Sequence, residues 1–237
     1  MKISVTSRIS LLLGSTPPAL LLIFAIISVH LGTAVAYKLF PTIGVMGTVA
    51  IRITLSAIIL LLATKPSFSL LLKKGGWMIA MYGFLLSIMN SFFYLSLELI
   101  PLGISVTIAF MGPLLISLAM SRQITDFLWA ILAIAGILLL APEFGETLNF
   151  LGILYAIGDA FSWALLVLLS PRLAKFAPGN TGLALGMGVA TIFMIPFSLN
   201  SIRVIVGDPN LLIFGLVVAV LSTALPFTFE FEALKRL

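Results

Sequence analysis

The chain has 237 residues, of which 61% are hydrophobic and 9% charged, with a net charge of +5 and no cysteine. An ordinary soluble domain is about one quarter charged, so this chain has too little polar surface to cover itself in water. The missing cysteines exclude disulfides, thiolate metal sites and thiol nucleophiles, and the cations lie between apolar blocks rather than in a stripe, which argues against a nucleic-acid partner.

The apolar blocks have the length of roughly 20 residues that carries a helix across a bilayer's hydrocarbon core. They are apolar on every side, as in LLLIFAIISVHLGTAVAY, whereas membrane β-strands alternate apolar and polar residues. The expected fold class is therefore all-α, a polytopic membrane helix bundle with the lipid bilayer as its solvent. With Gly, Pro and charge clusters as breaks, eight spans are expected, over 17–38, 44–64, 76–99, 102–120, 126–142, 149–170, 180–199 and 210–234. The connections FPTIG, LIPLG, PEFGETLN, RLAKFAPGN and NSIRVIVGDP are too short to house a soluble domain. A basic MKISVTSR and an A-x-A at Ala34 to Ala36 resemble a signal peptide. The apolar stretch is longer than a signal core and more spans follow, so it is read as the first span.

Lys2, Arg8, Lys65, Lys73, Lys74, Arg122, Arg172, Lys175, Lys235 and Arg236 fall on one side of this alternation, against Lys38 and Arg203 on the other. Cations collect on the cytoplasmic side of membrane proteins, so both termini are expected to be cytoplasmic and the corner at Ile100 to Leu102 outside.

Ionisable residues near a helix centre are costly and usually face a cavity or a partner. His30 lies in span one, Arg52 in span two, Asn90 in span three and Asp159 in span six. At helical spacing, Ser87, Asn90, Ser91, Tyr94 and Glu98 share one face, Tyr155, Asp159, Ser162 and Trp163 a second, and Ser222, Thr223, Pro226 and Glu230 a third. Three polar stripes suggest a wet central cavity. Its candidate substrate contacts are His30, Arg52, Asn90, Tyr94, Asp159, Trp163 and Glu230, with Arg52 and Asp159 the oppositely charged pair that a zwitterion needs. The same two residues fit a purely structural ion pair, and His30 fits a donor to a neighbouring backbone carbonyl. No nucleotide-binding or H-E-x-x-H motif is present, and one histidine makes no metal cluster, so no cofactor and no metal are expected. The rival function is an intramembrane enzyme, with His30 beside an activated serine.

Transporters are often built from inverted repeats. YGFLLSIMNSFFYLSLELIP on span three is similar to FGLVVAVLSTALPFTFEFEALKRL on span eight. Aligned from the left, Gly83 meets Gly215 and Glu98 meets Glu230. Aligned from the right, Leu97 meets Leu234, five residues out of register with the first, and both alignments stay open.

SFFYLSLELIPLGISVTIAFMGPLL and LSTALPFTFEFEALKRL, with LFP after span one, an Arg in span two and FSWALLVL in span six, resemble the threonine and homoserine exporter branch of the EamA-type drug/metabolite transporters. The resemblance implies an inner-membrane exporter of amino acids or similar small metabolites. It implies ten helices in two inverted five-helix repeats, with the substrate cavity between the halves. On that frame residues 1–142 form the first repeat and 149–237 an incomplete second repeat of three helices. The chain is then expected to lack the last two helices and to be weak or inactive alone unless a second copy, as in a homodimer, fills the gap.

Overall fold

The computed structural model describes residues 16–120, 127–128, 131–132, 135–136, 149–178, 180–226 and 229. Among the described residues every regular element is helical. In chain order they are α1 (Pro18–Ala36), a 3-10 turn (Tyr37–Leu39), α2 (Phe40–Thr64), the short α3 (Ser69–Leu72), α4 (Gly76–Leu99), α5 (Leu102–Met120), α6 (Phe150–Phe176), α7 (Thr181–Gly207) and α8 (Pro209–Ala219), which continues into a π-helical turn (Val220–Ala224). Expected spans one to four, six and seven each coincide with a helix, and span eight is described as far as Pro226. The fifth, 126–142, lies mostly outside the described residues, as do Lys2, Arg8, Arg122, Glu143, Glu146, Glu230, Lys235 and Arg236.

The stretch Pro18–Thr64 runs for 47 residues, about 70 Å at 1.5 Å per residue, more than twice a hydrocarbon core of about 30 Å. It makes two spans because the helix tightens at Tyr37–Leu39 and breaks at Gly44, whose φ of 70° and ψ of 168° are open essentially to glycine alone. The corner after α4 follows from Pro101. Ile100 is extended (φ −138°, ψ 154°), as the residue before a proline prefers. The Pro101 carbonyl then accepts the amides of Ile104 and Ser105 to start α5, and Ser96 Oγ donates to Ser105 Oγ across the corner at 2.9 Å. Two further starts are capped by side chains: Asn149 Oδ1 accepts from the amides of Leu151 and Gly152, and Asp208 Oδ1 from that of Asn210.

Several boundaries differ from expectation: α2 starts at Phe40 instead of 44, and α6 runs to Phe176 instead of 170. Span seven was expected to stop at 199, with NSIRVIVGDP as a connection, but α7 continues to Gly207. Asn200, Ser201 and Arg203 are polar without being helix breakers, and the stop falls only where Gly207 and Pro209 end the helical run.

The helices form two compact units, one of residues up to Lys65 with those from Ser198 onward, the other of Pro66–Phe197. Neither is contiguous with an expected repeat, since each takes helices from both. In the first unit α8 packs on α1 and α2 and its π turn packs on α1. Ser201 Oγ, near the end of α7, donates to the Ile43 carbonyl at 3.2 Å. In the second unit α6 packs on α4 and α5, and Phe84 of α4 meets Phe193 of α7 edge-on at 5.1 Å.

Burial runs opposite to that of a water-soluble protein. Leu20, Ile23, Phe24, Ile27 and Leu31 of α1 are exposed, as are Phe150, Leu154, Ile157 and Phe161 of α6, while Ser28, Ser56, Ser87, Asn90, Asp159, Ser162 and Thr223 are buried. Apolar residues outside and hydrogen-bonding groups inside is the arrangement lipid selects. Without water to drive association, helices hold together by close packing of small residues. The tightest approach is at Gly112 of α5, where a Cβ would collide with the Ala160 carbonyl of α6.

Gly112→Ala is therefore expected to lower stability by about 1–3 kcal/mol, because the obstruction is backbone and cannot turn aside. Gly207, which has no atom within 4 Å of such a Cβ, should accept alanine with no loss. Unfolding midpoints of the two variants in detergent check this, and equal midpoints would contradict the packing described.

Candidate functional site

Helix α8 continues into a π turn, and Pro226 is where the irregularity begins. In a regular helix the amide of residue 226 would bond the carbonyl of Ser222, four residues back. Proline has no amide hydrogen, and its ring crowds that carbonyl. The turn before it widens, so that the Leu225 amide donates to Val220, five residues back. The Leu221 and Ser222 carbonyls are thereby released from the normal ladder.

A free carbonyl in a medium without water costs several kcal/mol. Side chains from the two neighbouring helices take the place of the missing amides. Ser28 Oγ of α1 donates to the Leu221 carbonyl at 2.5 Å. Arg52 Nη2 of α2 donates to the Ser222 carbonyl at 3.1 Å. One turn earlier, Ser56 Oγ of α2 donates to the Ala219 carbonyl at 3.4 Å. Gly32, one turn after Ser28, lets α1 lie against this turn, since a Cβ there would come within 2.7 Å of Ser222 Cβ.

Arg52 thus sits half-buried with one of its five donors fixed to backbone. Among the described residues, one other site residue predicted from the sequence, His30, shares its unit. Ser222 and Thr223 mark span eight as expected, whereas Glu230 lies outside the described residues. His30 is half-buried on α1; two residues from both Ser28 and Gly32, it stands about 200° around the helix from each, away from the π turn.

The remaining predicted residues belong to the second unit. Phe92 of α4 lies against Gly158 of α6 and stacks on Tyr155 at 5.8 Å, while Leu99 and Ile100 lie against Gly152. This antiparallel register sets Asn90, Tyr94 and Asp159 at one depth. All three are buried, with relative exposures of 5%, 0% and 3%. Asn90 Nδ2 donates to the Leu86 carbonyl at 2.8 Å, and Ser91 Oγ to the Ser87 carbonyl. Trp163, one turn past Asp159, is half-buried with its ring 5.1 Å from that of Phe110 on α5. Glu98 departs from the stripe expected on this helix: it is exposed, at the last turn before the Ile100 corner. Among the described residues no group of three or more His, Cys, Asp or Glu could hold a metal ion.

Ser28 and Ser56 were not among the residues singled out in the sequence. One signal points to Ser28 afterwards: with Gly32 it forms a small-x-x-x-small pair that allows close approach of two helices.

Comparison with known proteins agrees with this architecture. Residues 150–237 match the model of the EamA-like transporter family. The threonine/homoserine exporter RhtA of Salmonella typhimurium (strain LT2) is 36% identical over 223 residues, covering 93% of this chain and 75% of that protein. The exporter of the same name from Escherichia coli (strain K12) is 34% identical over the same coverage. The chain belongs to the EamA-like transporter family, with the RhtA-type exporters as its relatives. No solved structure matches it at comparable significance. The family match opens one residue after the expected start of the second repeat. Relatives that are transporters favour transport over the intramembrane enzyme, and they make this EamA-like chain a multi-pass inner-membrane protein.

If Arg52 replaces the amide that Pro226 lacks, the two positions are energetically coupled. Arg52→Met should cost about 1–3 kcal/mol by stranding the Ser222 carbonyl. Adding Pro226→Ala should recover much of the loss, because an alanine amide at 226 can serve the same oxygen. A double-mutant cycle on unfolding in detergent measures the coupling, expected at about 1 kcal/mol or more; strictly additive effects would contradict it.

Proposed function

We propose that the chain is a secondary transporter that exports small hydroxylated amino acids of the threonine and homoserine kind across the bacterial cytoplasmic membrane, with both termini on the cytoplasmic side. The observation that carries this reading is Arg52, a cation within a membrane helix that is held by one donor on the Ser222 carbonyl. The names of the relatives, threonine/homoserine exporters, supply the substrate class.

The chemistry follows from what a zwitterion needs. A carboxylate is best held by a guanidinium, whose planar fork can offer two parallel donors. The bond to the Ser222 carbonyl fixes the orientation of the Arg52 fork before the substrate arrives. Asp159, buried in the second unit, is a further candidate contact of opposite charge, and its burial strengthens any bond it makes to a cation. Asn90, Tyr94 and Trp163, in the same unit as Asp159, are further candidate contacts, whereas His30 stands away from the π turn.

Efflux of labelled threonine and homoserine from cells that lack their own exporters tests this proposal. Expression of the chain should raise efflux. Arg52→Lys, which keeps the charge but loses the fork, and Asp159→Asn, which loses the charge, should each reduce it by about tenfold or more. Glu98→Gln, at an exposed position, should leave it unchanged. Wild-type efflux from Arg52→Lys would contradict the assigned role, and no efflux from the unaltered chain would contradict the function.

A further inference from the structure

Thr223 is the one residue of the π turn whose polar group the account above has not used. A hydroxyl in a membrane helix normally donates to the carbonyl three or four residues back. Thr33 does so to Val29, Thr48 to Gly44, Thr64 to Leu60 and Thr191 to Met187, at 3.0, 2.9, 2.7 and 3.0 Å. Ser222, its immediate neighbour, donates to Val218. Thr223 does not follow them. It has no exposed surface, and its Oγ1 meets no hydrogen-bond partner among the described residues. The π turn explains the difference. Widening the helix displaces the carbonyl four residues back, that of Ala219, and Ser56 of α2 already donates to it.

A buried polar atom left without a partner is costly, and natural structures keep few of them. This one lies next to the residue whose carbonyl anchors Arg52. The spacing suits a small ligand. Adjacent Cα atoms are about 3.8 Å apart, and in threonine or homoserine the hydroxyl oxygen is only three or four bonds from the carboxyl carbon. That length matches the step from one residue to the next, which is the step from the residue whose carbonyl Arg52 holds to Thr223.

We infer that Thr223 is the specificity-determining residue that reads the substrate's side-chain hydroxyl, exchanging a hydrogen bond with it while Arg52 takes the carboxylate. The inference rests on the export function proposed above and sharpens it: substrates are chosen for carrying a hydroxyl, not merely for being small amino acids. A site built to pair with a hydroxyl rejects the analogue that lacks it, because the site's own polar group is then left unpaired.

One analogue tests this for both substrates, because threonine and homoserine each become 2-aminobutyrate when the hydroxyl is removed. Efflux of labelled threonine, homoserine and 2-aminobutyrate is compared in cells expressing the unaltered chain, Thr223→Val and Thr223→Ser. The unaltered chain should favour the hydroxylated pair by about tenfold or more. Thr223→Val, of nearly the same shape, should bring the ratio to within about threefold while still exporting 2-aminobutyrate, and Thr223→Ser should keep the preference. The purified variants give a second reading: threonine should raise the melting temperature of the unaltered chain and of Thr223→Ser more than 2-aminobutyrate does, and raise that of Thr223→Val no more. An unchanged preference in Thr223→Val overturns the inference. So does an equal loss of all three substrates from a Thr223→Val protein that melts normally. A preference near one in the unaltered chain also overturns it while leaving the export function standing, whereas no efflux of any of the three overturns both.

Discussion

The constraint on which this structure turns is that a backbone carbonyl inside a bilayer must find a donor within the protein. Along most of the chain the helix itself meets that demand. At Val220–Ala224 it cannot, because Pro226 withholds one amide and the widened turn redirects another to Val220. Ser28 and Arg52 then become parts of the ladder, and the neighbouring helices must present them at the right depth. The close approach at Gly32 and the position of α8 against both α1 and α2 follow from the same need. A guanidinium is well suited to this duty, since its planar fork carries several donors. Under the export function proposed above, a structural role and a ligand-binding role for Arg52 are not alternatives: the bond that completes the helix also aims the charge.

The second unit is organised by closeness instead of by repair. Gly112 against the Ala160 carbonyl and Gly158 against Phe92 bring α5, α6 and α4 together where larger residues would hold them apart. The buried hydroxyls and amides of α4 are largely satisfied along their own helix, by Leu86 for Asn90 and by Ser87 for Ser91. This leaves the side-chain donors of Asn90 and Ser91 paired without water. Exposed apolar residues on the outer faces of α1 and α6 complete the inside-out pattern.

Much of this was legible before any coordinates. Apolar blocks of the right length specify membrane helices, and Pro and Gly mark most of their ends: Pro101 made the α4–α5 corner plain, and Gly44 separated the first two spans. Asn200 misled because a polar residue was taken for a stop that only Gly207 and Pro209 supply. Arg52 and the buried Asn90, Ser91 and Tyr94 of span three and Asp159 and Ser162 of span six could be found from charge and helical spacing, whereas Glu98, expected on the same face as Asn90, is exposed. Their partners could not, because hydrogen bonding of Arg52 to the Ser222 carbonyl depends on a widened turn that no residue type announces by itself. The composition of the two compact units was hidden for a related reason. Repeats are read along the chain, whereas packing joined the first two spans to residues beyond Ser198.

The central claim is that Arg52 stands in for the amide missing at Pro226. A solid-state NMR distance from the guanidinium nitrogens of Arg52 to the carbonyl carbon of Ser222, measured on the protein in bilayers, tests it most directly. The account predicts about 4 Å, the 3.1 Å nitrogen–oxygen separation extended by a carbonyl bond of about 1.23 Å. A separation beyond roughly 7 Å, far outside hydrogen-bonding range, would contradict it.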